Sequence, residues 1–127
     1  TFMIKSGNEY LSSILKKILN SYSIIDELSD KSIDLELLEV EVRKINGLFL
    51  VLSKKVTSLT NNSPDAKNLE KNIVYYIQNY DFLREINLLL DTYSEDNLRV
   101  RNIRDSVLKS LNENKLIQKI YEMSNNS

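Results

Sequence analysis

Residues 35–59 read LELLEVEVRKINGLFLVLSKKVTSL, and their apolar residues recur at alternating intervals of three and four. The seam consists of Leu35, Leu38, Val42, Ile45, Phe49, Leu52, Val56 and Leu59. Heptad spacing of this kind places one apolar stripe along one side of a helix. Asn46-Gly47 is compatible with a hairpin turn, but the stripe keeps its phase across it. We therefore predict a helix that continues through Gly47.

The same spacing occurs before and after this seam, and turn-forming residues are scarce, with Gly 2 and Pro 1 in 127 residues. Ser63-Pro64-Asp65 is typical of a helix start, with a cap, a proline in the first turn and an acidic residue after it. We predict an all-α single domain, 1–127, with helices at about 8–29, 33–60, 64–91 and 95–123. The short links favour an antiparallel four-helix bundle.

A second apolar stripe runs along the opposite side of the second helix, through Leu37, Val40, Gly47 and Val51, with Lys44 in line among them. A helix that is apolar on two sides is either central in its fold or presents a face to another molecule. We predict a central second helix, in contact on both sides. Whether the second contact is the protein's own helix, a partner or a second copy in a homodimer stays open.

Exposed aromatic and basic residues supply further candidates for partner binding. On the third helix, the side opposite the seam carries Tyr75, Phe82 and Leu89, each seven residues after the one before. Three of the arginines, Arg99, Arg101 and Arg104, cluster at the start of the fourth helix, where positive charge opposes the helix dipole. They either pair with nearby acidic residues such as Asp105, or form a patch for an acidic partner or a sulfated glycan.

The sequence lacks the residues that most catalytic and metal sites use. It has no histidine and no cysteine, so zinc sites, thiol nucleophiles and Ser-His pairs are excluded. The acidic residues Glu36, Glu39 and Glu41 fall on different sides of a helix and do not converge. The net charge of −1 disfavours nucleic acid as a partner. We therefore expect no catalytic residue, no metal, no cofactor and no enzymatic activity.

Residues 71–81, KNIVYYIQNYD, followed by Leu88-Leu89-Leu90-Asp91, resemble a segment of Borrelia-type helical surface lipoproteins. That spirochaetal family includes the complement regulator-acquiring surface proteins, and factor H-binding protein A is similar in composition. The resemblance implies a bacterial outer-membrane lipoprotein at the cell surface, attached to the membrane only through an acylated cysteine upstream of Thr1. It also implies immune evasion by binding a host serum protein such as factor H, another complement component or plasminogen.

Two functions are therefore expected from the sequence. The first is a surface lipoprotein ectodomain that binds a host factor in complement evasion. The alternative is an intracellular, cytoplasmic helical adaptor or oligomerisation module that uses the back of the second helix. An upstream lipidation signal in the full-length gene would separate the two.

Overall fold

The computed structural model describes the backbone of residues 2–59, 63–93 and 95–125, and their side chains except those of residues 2–8, 57 and 59. In these ranges the chain is all-helical. The helices are α1 (Phe2–Asp26), α2 (Leu35–Leu59), α3 (Pro64–Asn79), α4 (Phe82–Thr92), α5 (Asn97–Leu111) and α6 (Leu116–Asn125). A 3-10 turn at Glu113–Lys115 joins α5 to α6. The prediction that the first helix begins near residue 8 was wrong, because α1 already includes residues 2–8.

The seam of α2 forms the centre of the core, as its heptad spacing predicts. Leu38, Val42, Ile45, Phe49 and Leu52 have no exposed surface. The helix runs without interruption through Gly47, so the predicted continuity is confirmed. α2 packs against α1, α3 and α4, and α1 packs in turn against α5 and α6.

The back of α2 differs from its prediction. Val40 is 42% exposed, and Gly47 is exposed too, whereas Leu48 and Val51 are half-buried at the edge of the core. No described helix covers Val40 or Gly47, so the expectation that α2 is in contact on both sides was wrong at these two positions. One side of this helix therefore faces solvent.

The predicted third helix is divided in two at Tyr80-Asp81. Tyr80 has extended dihedral angles, φ −131° and ψ 137°, and the Asp81 carboxylate accepts a hydrogen bond from the backbone N–H of Arg84 as the cap of α4. The break rotates the buried side of the following helix. Phe82 is consequently in the core, where the sequence placed it on the outer side.

The predicted fourth helix is also divided, between α5 and α6. Asn114 and Lys115 adopt left-handed backbone angles, with φ of 55° and 57°, which interrupts the helical hydrogen-bond ladder. The Tyr80 hydroxyl, at the first break, donates a hydrogen bond of 2.5 Å to the Glu113 carboxylate at the second. This bond raises the pKa of Tyr80, because it stabilises the neutral phenol. The two breaks are thus connected to each other.

Candidate functional site: a basic groove between two helices

A depression with a volume of about 1290 Å³ lies between α1 and α2 on the outer side of the fold. We call it the α1–α2 groove. It is lined by seven residues of α1 and five of α2: Glu9, Ser12, Ser13, Lys16, Lys17, Asn20, Ser21, Arg43, Lys44, Gly47, Leu48 and Val51. The first and last of the α1 residues, Glu9 and Ser21, are twelve residues apart, which is about 18 Å along a helix at 1.5 Å per residue. The groove is long and shallow rather than enclosed.

The groove arises from the way that α1 and α2 pair. The two helices run antiparallel, since Lys55 near the end of α2 places its Nζ 5.1 Å from the centre of the Tyr10 ring near the start of α1. Both helices turn their apolar seams toward the core. The residues next to each seam, mostly small or basic, then face each other across the outer side of the pair. Small side chains there leave the space between the helices unfilled.

Four of the lining residues are cations and one is an anion. Arg43 forms an ion pair with Glu39, one helical turn away. Lys44 Nζ lies 3.1 Å from Oε2 of Glu41, a buried carboxylate whose other oxygen has no hydrogen-bond partner in the described structure. Lys16 and Lys17 are exposed, and neither forms an ion pair with any described residue. The one anion, Glu9, is also on α1, seven residues before Lys16, so the α1 side of the groove carries a net positive charge.

Gly47 lies in the middle of the groove on the α2 side. A Cβ atom added at this position would meet no other atom within 4 Å. Glycine inside a helix costs about 1 kcal/mol relative to alanine. Packing within the described fold does not require this glycine, so no closer contact in the described fold offsets the stability that it loses relative to alanine.

Of the three arginines predicted to form a partner patch, Arg104 is part of the core, with 5% exposure. Its guanidinium donates hydrogen bonds to the Leu28 carbonyl at 2.8 Å and to the Asp105 carboxylate at 2.6 Å, and it pairs with Asp30. Burial alone would lower the pKa of Arg104, but the hydrogen bonds to Asp30 and Asp105 outweigh it and raise that pKa. The partner-binding prediction was wrong for Arg104. Internal pairing, the other interpretation, is confirmed for this residue.

The other two arginines of the predicted patch remain at the surface. Arg99 donates a hydrogen bond of 3.1 Å to Asp96, the cap of α5, and its guanidinium lies 4.1 Å from the centre of the Tyr93 ring. Arg101 is half-buried and forms no ion pair with any residue in the described ranges. The three arginines therefore have different environments and do not form one patch.

The remaining predicted contact residues are dispersed. Val51 lines the α1–α2 groove, while Val40 and Leu37 lie on the same side of α2, one and two turns before Lys44. Tyr75 is 44% exposed on α3, in a separate shallow depression beside Lys67 and Lys71. The structure thus assembles Val51 with groove residues, and leaves Tyr75 on another face.

No acidic or metal-ligating cluster occurs in the part of the chain that the structure describes. Glu36 is exposed, whereas Glu39 and Glu41 are paired with basic residues of their own helix. No group of three or more potential ligands is close enough to hold a metal ion within these ranges. Nor does any described helix have the length and apolar character needed to cross a bilayer.

Sequence reasoning placed Lys44 on the back of the second helix but did not identify Lys16, Lys17 and Arg43 as its neighbours, although two signals were present. Lys16 and Lys17 lie just off the apolar stripe of the first helix, and Gly47 interrupts an otherwise apolar side of the second. Each helix alone gives no reason to combine them. Only the pairing of α1 with α2 brings them to one site.

Comparisons with protein-family models, with characterised proteins and with solved structures found no significant match. The resemblance of residues 71–91 to spirochaetal surface lipoproteins therefore stays a prediction, and the function has to be argued from the site.

Proposed function

We propose that this protein is a non-enzymatic binding protein whose partner site is the α1–α2 groove. The observation that carries the proposal is the combination of an open groove, a glycine that the described fold does not require, and two lysines that have no acidic partner among the described residues. Concave surfaces with an apolar floor and charged sides are typical of binding sites. Under this proposal the chain is a four-rod antiparallel bundle, in which α3–α4 and α5–α6 each act as one interrupted rod.

The partner we propose is a host serum protein, such as factor H, another complement component or plasminogen. The chain would then be the ectodomain of a bacterial surface lipoprotein that acts in complement evasion. The resemblance of residues 71–81 to spirochaetal lipoproteins is the support for this assignment. It adds an expectation that the full-length gene encodes a lipidated cysteine upstream of Thr1.

The test is capture from human serum by the immobilised, folded protein, with the retained proteins identified by mass spectrometry. The Lys16→Glu/Lys17→Glu double variant should lose the captured protein, because like charge opposes an acidic partner at the groove. The matched control is Lys67→Glu/Lys71→Glu on α3, which changes the net charge equally and should retain it. If the wild type captures no serum protein reproducibly, the host-partner proposal is contradicted.

A second candidate, an oligomerisation or adaptor module, is favoured by one observation. Val40, a β-branched apolar residue in the second turn of α2, is 42% exposed. If this face joins two copies, Val40→Asp should convert a dimer to a monomer in light scattering. A wild-type protein that is monomeric at all concentrations would remove this candidate.

A further inference from the structure

The α1–α2 groove is too large and too open for a small organic ligand. Pockets that bury drug-sized molecules have volumes of about 300–1000 Å³ and enclose most of the ligand. The groove has about 1290 Å³ and lies along two helices over about three turns. Its dimensions suit a rod of similar length, and a helix of about 12 residues has that length.

The floor of the groove favours close approach by a helix. Helices pack with axes about 8–10 Å apart, and the shorter distances require small residues at the contact. Ser13 and Gly47 supply small residues from opposite sides, while the half-buried Leu48 and Val51 supply apolar surface between and beside them. Gly47 would let the backbone of α2 touch an approaching side chain directly. This closer contact in the complex would offset the low helix propensity of the glycine.

The charge along the groove selects among helices. Arg43 and Lys44 are partly neutralised by Glu39 and Glu41, but Lys16 and Lys17 have no acidic partner in the part of the chain described. An incoming helix with acidic residues on the α1 side would pair with these two lysines. A basic helix would place like charges opposite each other, which suppresses binding.

We infer that the α1–α2 groove binds an amphipathic helix of a partner protein, with an apolar ridge over Gly47 and acidic residues beside Lys16 and Lys17. This helix-in-groove mode is a recurrent way in which helical domains recognise peptides. The inference rests on the proposed binding function and specifies the chemistry of the partner.

The experiment is a selection from displayed helical peptides of about 15 residues, a length that spans the groove with one extra turn. The peptides carry a fixed leucine ridge at i, i+4, i+7 and i+11, with randomised flanking positions. Selected peptides are synthesised, and their affinity for the wild type is measured by fluorescence anisotropy. The enriched sequences should carry Asp or Glu on one flank, and their binding should weaken as salt is raised.

Two variants locate the binding. Gly47→Leu should weaken the selected peptides by about tenfold or more, because the new side chain occupies the groove. Its melting temperature should equal or exceed that of the wild type, because a Cβ at this position meets nothing. Lys16→Glu/Lys17→Glu should weaken them by a similar factor of about ten, and Lys67→Glu/Lys71→Glu should leave them unchanged.

The outcomes separate the inference from the proposed function. Three results would overturn the inference. The selected peptides could bind Gly47→Leu as tightly as wild type, their flanks could be basic or without a pattern, or no peptide could be enriched at all. Binding of a heparin hexasaccharide that depends on Lys16 and Lys17 when no peptide is enriched would also overturn it, since the groove would then be a polyanion site. A serum protein that Gly47→Leu captures as well as wild type, and that Lys16→Glu/Lys17→Glu no longer captures, would keep the groove as the partner site and refute only the helix inside it. Conversely, acidic peptides that depend on Gly47, with no serum protein captured, would refute the host partner alone.

Discussion

Replacing Arg104 by methionine should destabilise the fold by about 2–3 kcal/mol, because Arg104 holds the loop between α1 and α2 against α5. The change removes hydrogen bonds to the Leu28 carbonyl and to two carboxylates, and each charge-assisted bond contributes about 1.5–3 kcal/mol at most. The side chains of Asp30 and Asp105 are 66% and 58% exposed, so both carboxylates regain water when the arginine is lost. Solvent screening therefore reduces their share to well below about 1 kcal/mol each. Methionine fills most of the space of the arginine stem, which keeps the packing loss small.

The assay is urea denaturation followed by circular dichroism at 222 nm, with the slope checked for two-state behaviour. The matched control is Arg101→Met, three positions earlier on the same helix, where no ion pair is lost. It should change the free energy of unfolding by less than about 0.5 kcal/mol. If Arg104→Met lowers the free energy of unfolding by no more than this control, the hydrogen bonds of Arg104 do not stabilise the fold. A loss of about 5 kcal/mol or more would show that Asp30 and Asp105 are far less hydrated than their exposure indicates.

Three further predictions concern other parts of the fold. Gly47→Ala should raise the free energy of unfolding by about 0.5–1 kcal/mol in the same assay, and a decrease would mean that a side chain does clash there. Ser63→Ala should lower it by about 1 kcal/mol, because the Ser63 hydroxyl accepts the Ala66 N–H at the start of α3; an unchanged midpoint would contradict that cap. Burial, and to a lesser extent Tyr80, raises the pKa of Tyr76 above 10.0, so its contribution to stability is complete below about pH 10 and is lost as the pH rises through the folded pKa. Absorbance at 295 nm should show late-titrating phenols, of which Tyr76→Phe removes one, and a titration unchanged by that substitution would refute the assignment.

The position of the core was predictable from sequence where one helix keeps its phase. The heptad from Leu35 to Val56 predicts residues that are all buried, and Ser63-Pro64-Asp65 predicts the start of α3 at its observed residue. Both signals are local, and no tertiary contact opposes them. For this reason spacing alone was sufficient.

The two helix breaks were not predictable, because the sequence around them carries no proline or glycine. Apolar residues continue in phase from Ile73 through Tyr80, which favours one helix. The break depends instead on side-chain contacts, one of them with a partner distant in sequence. Tyr80 stacks on Phe82, two residues later, at 5.2 Å between ring centres, and its hydroxyl donates a hydrogen bond to Glu113 on the segment between α5 and α6. Tertiary contacts of this kind override helix propensity without leaving a local signal. The uninterrupted phase therefore placed Phe82 outside the core.

The candidate site was predictable only in part, for a related reason. The apolar back of α2 indicated that Gly47 and Val51 face something other than the main core. The partner lysines, Lys16 and Lys17, are on another helix whose register against α2 cannot be obtained from either pattern. A basic cluster that is contiguous in sequence, like the one at Arg99–Arg104, was easier to notice. It proved to be partly structural, since Arg104 pairs within the fold.

The central claim is that the partner lies in the α1–α2 groove, and site-directed photo-crosslinking tests it most directly. The chain contains no cysteine, so Ser13→Cys gives a single attachment point for a benzophenone maleimide in the groove. The control is Ser106→Cys, an exposed serine on α5 beside a different depression. After irradiation in serum, the groove label should form a covalent adduct with one partner protein, and the control label should form none. Equal adducts from both positions, or an adduct from Ser106→Cys alone, would contradict the account.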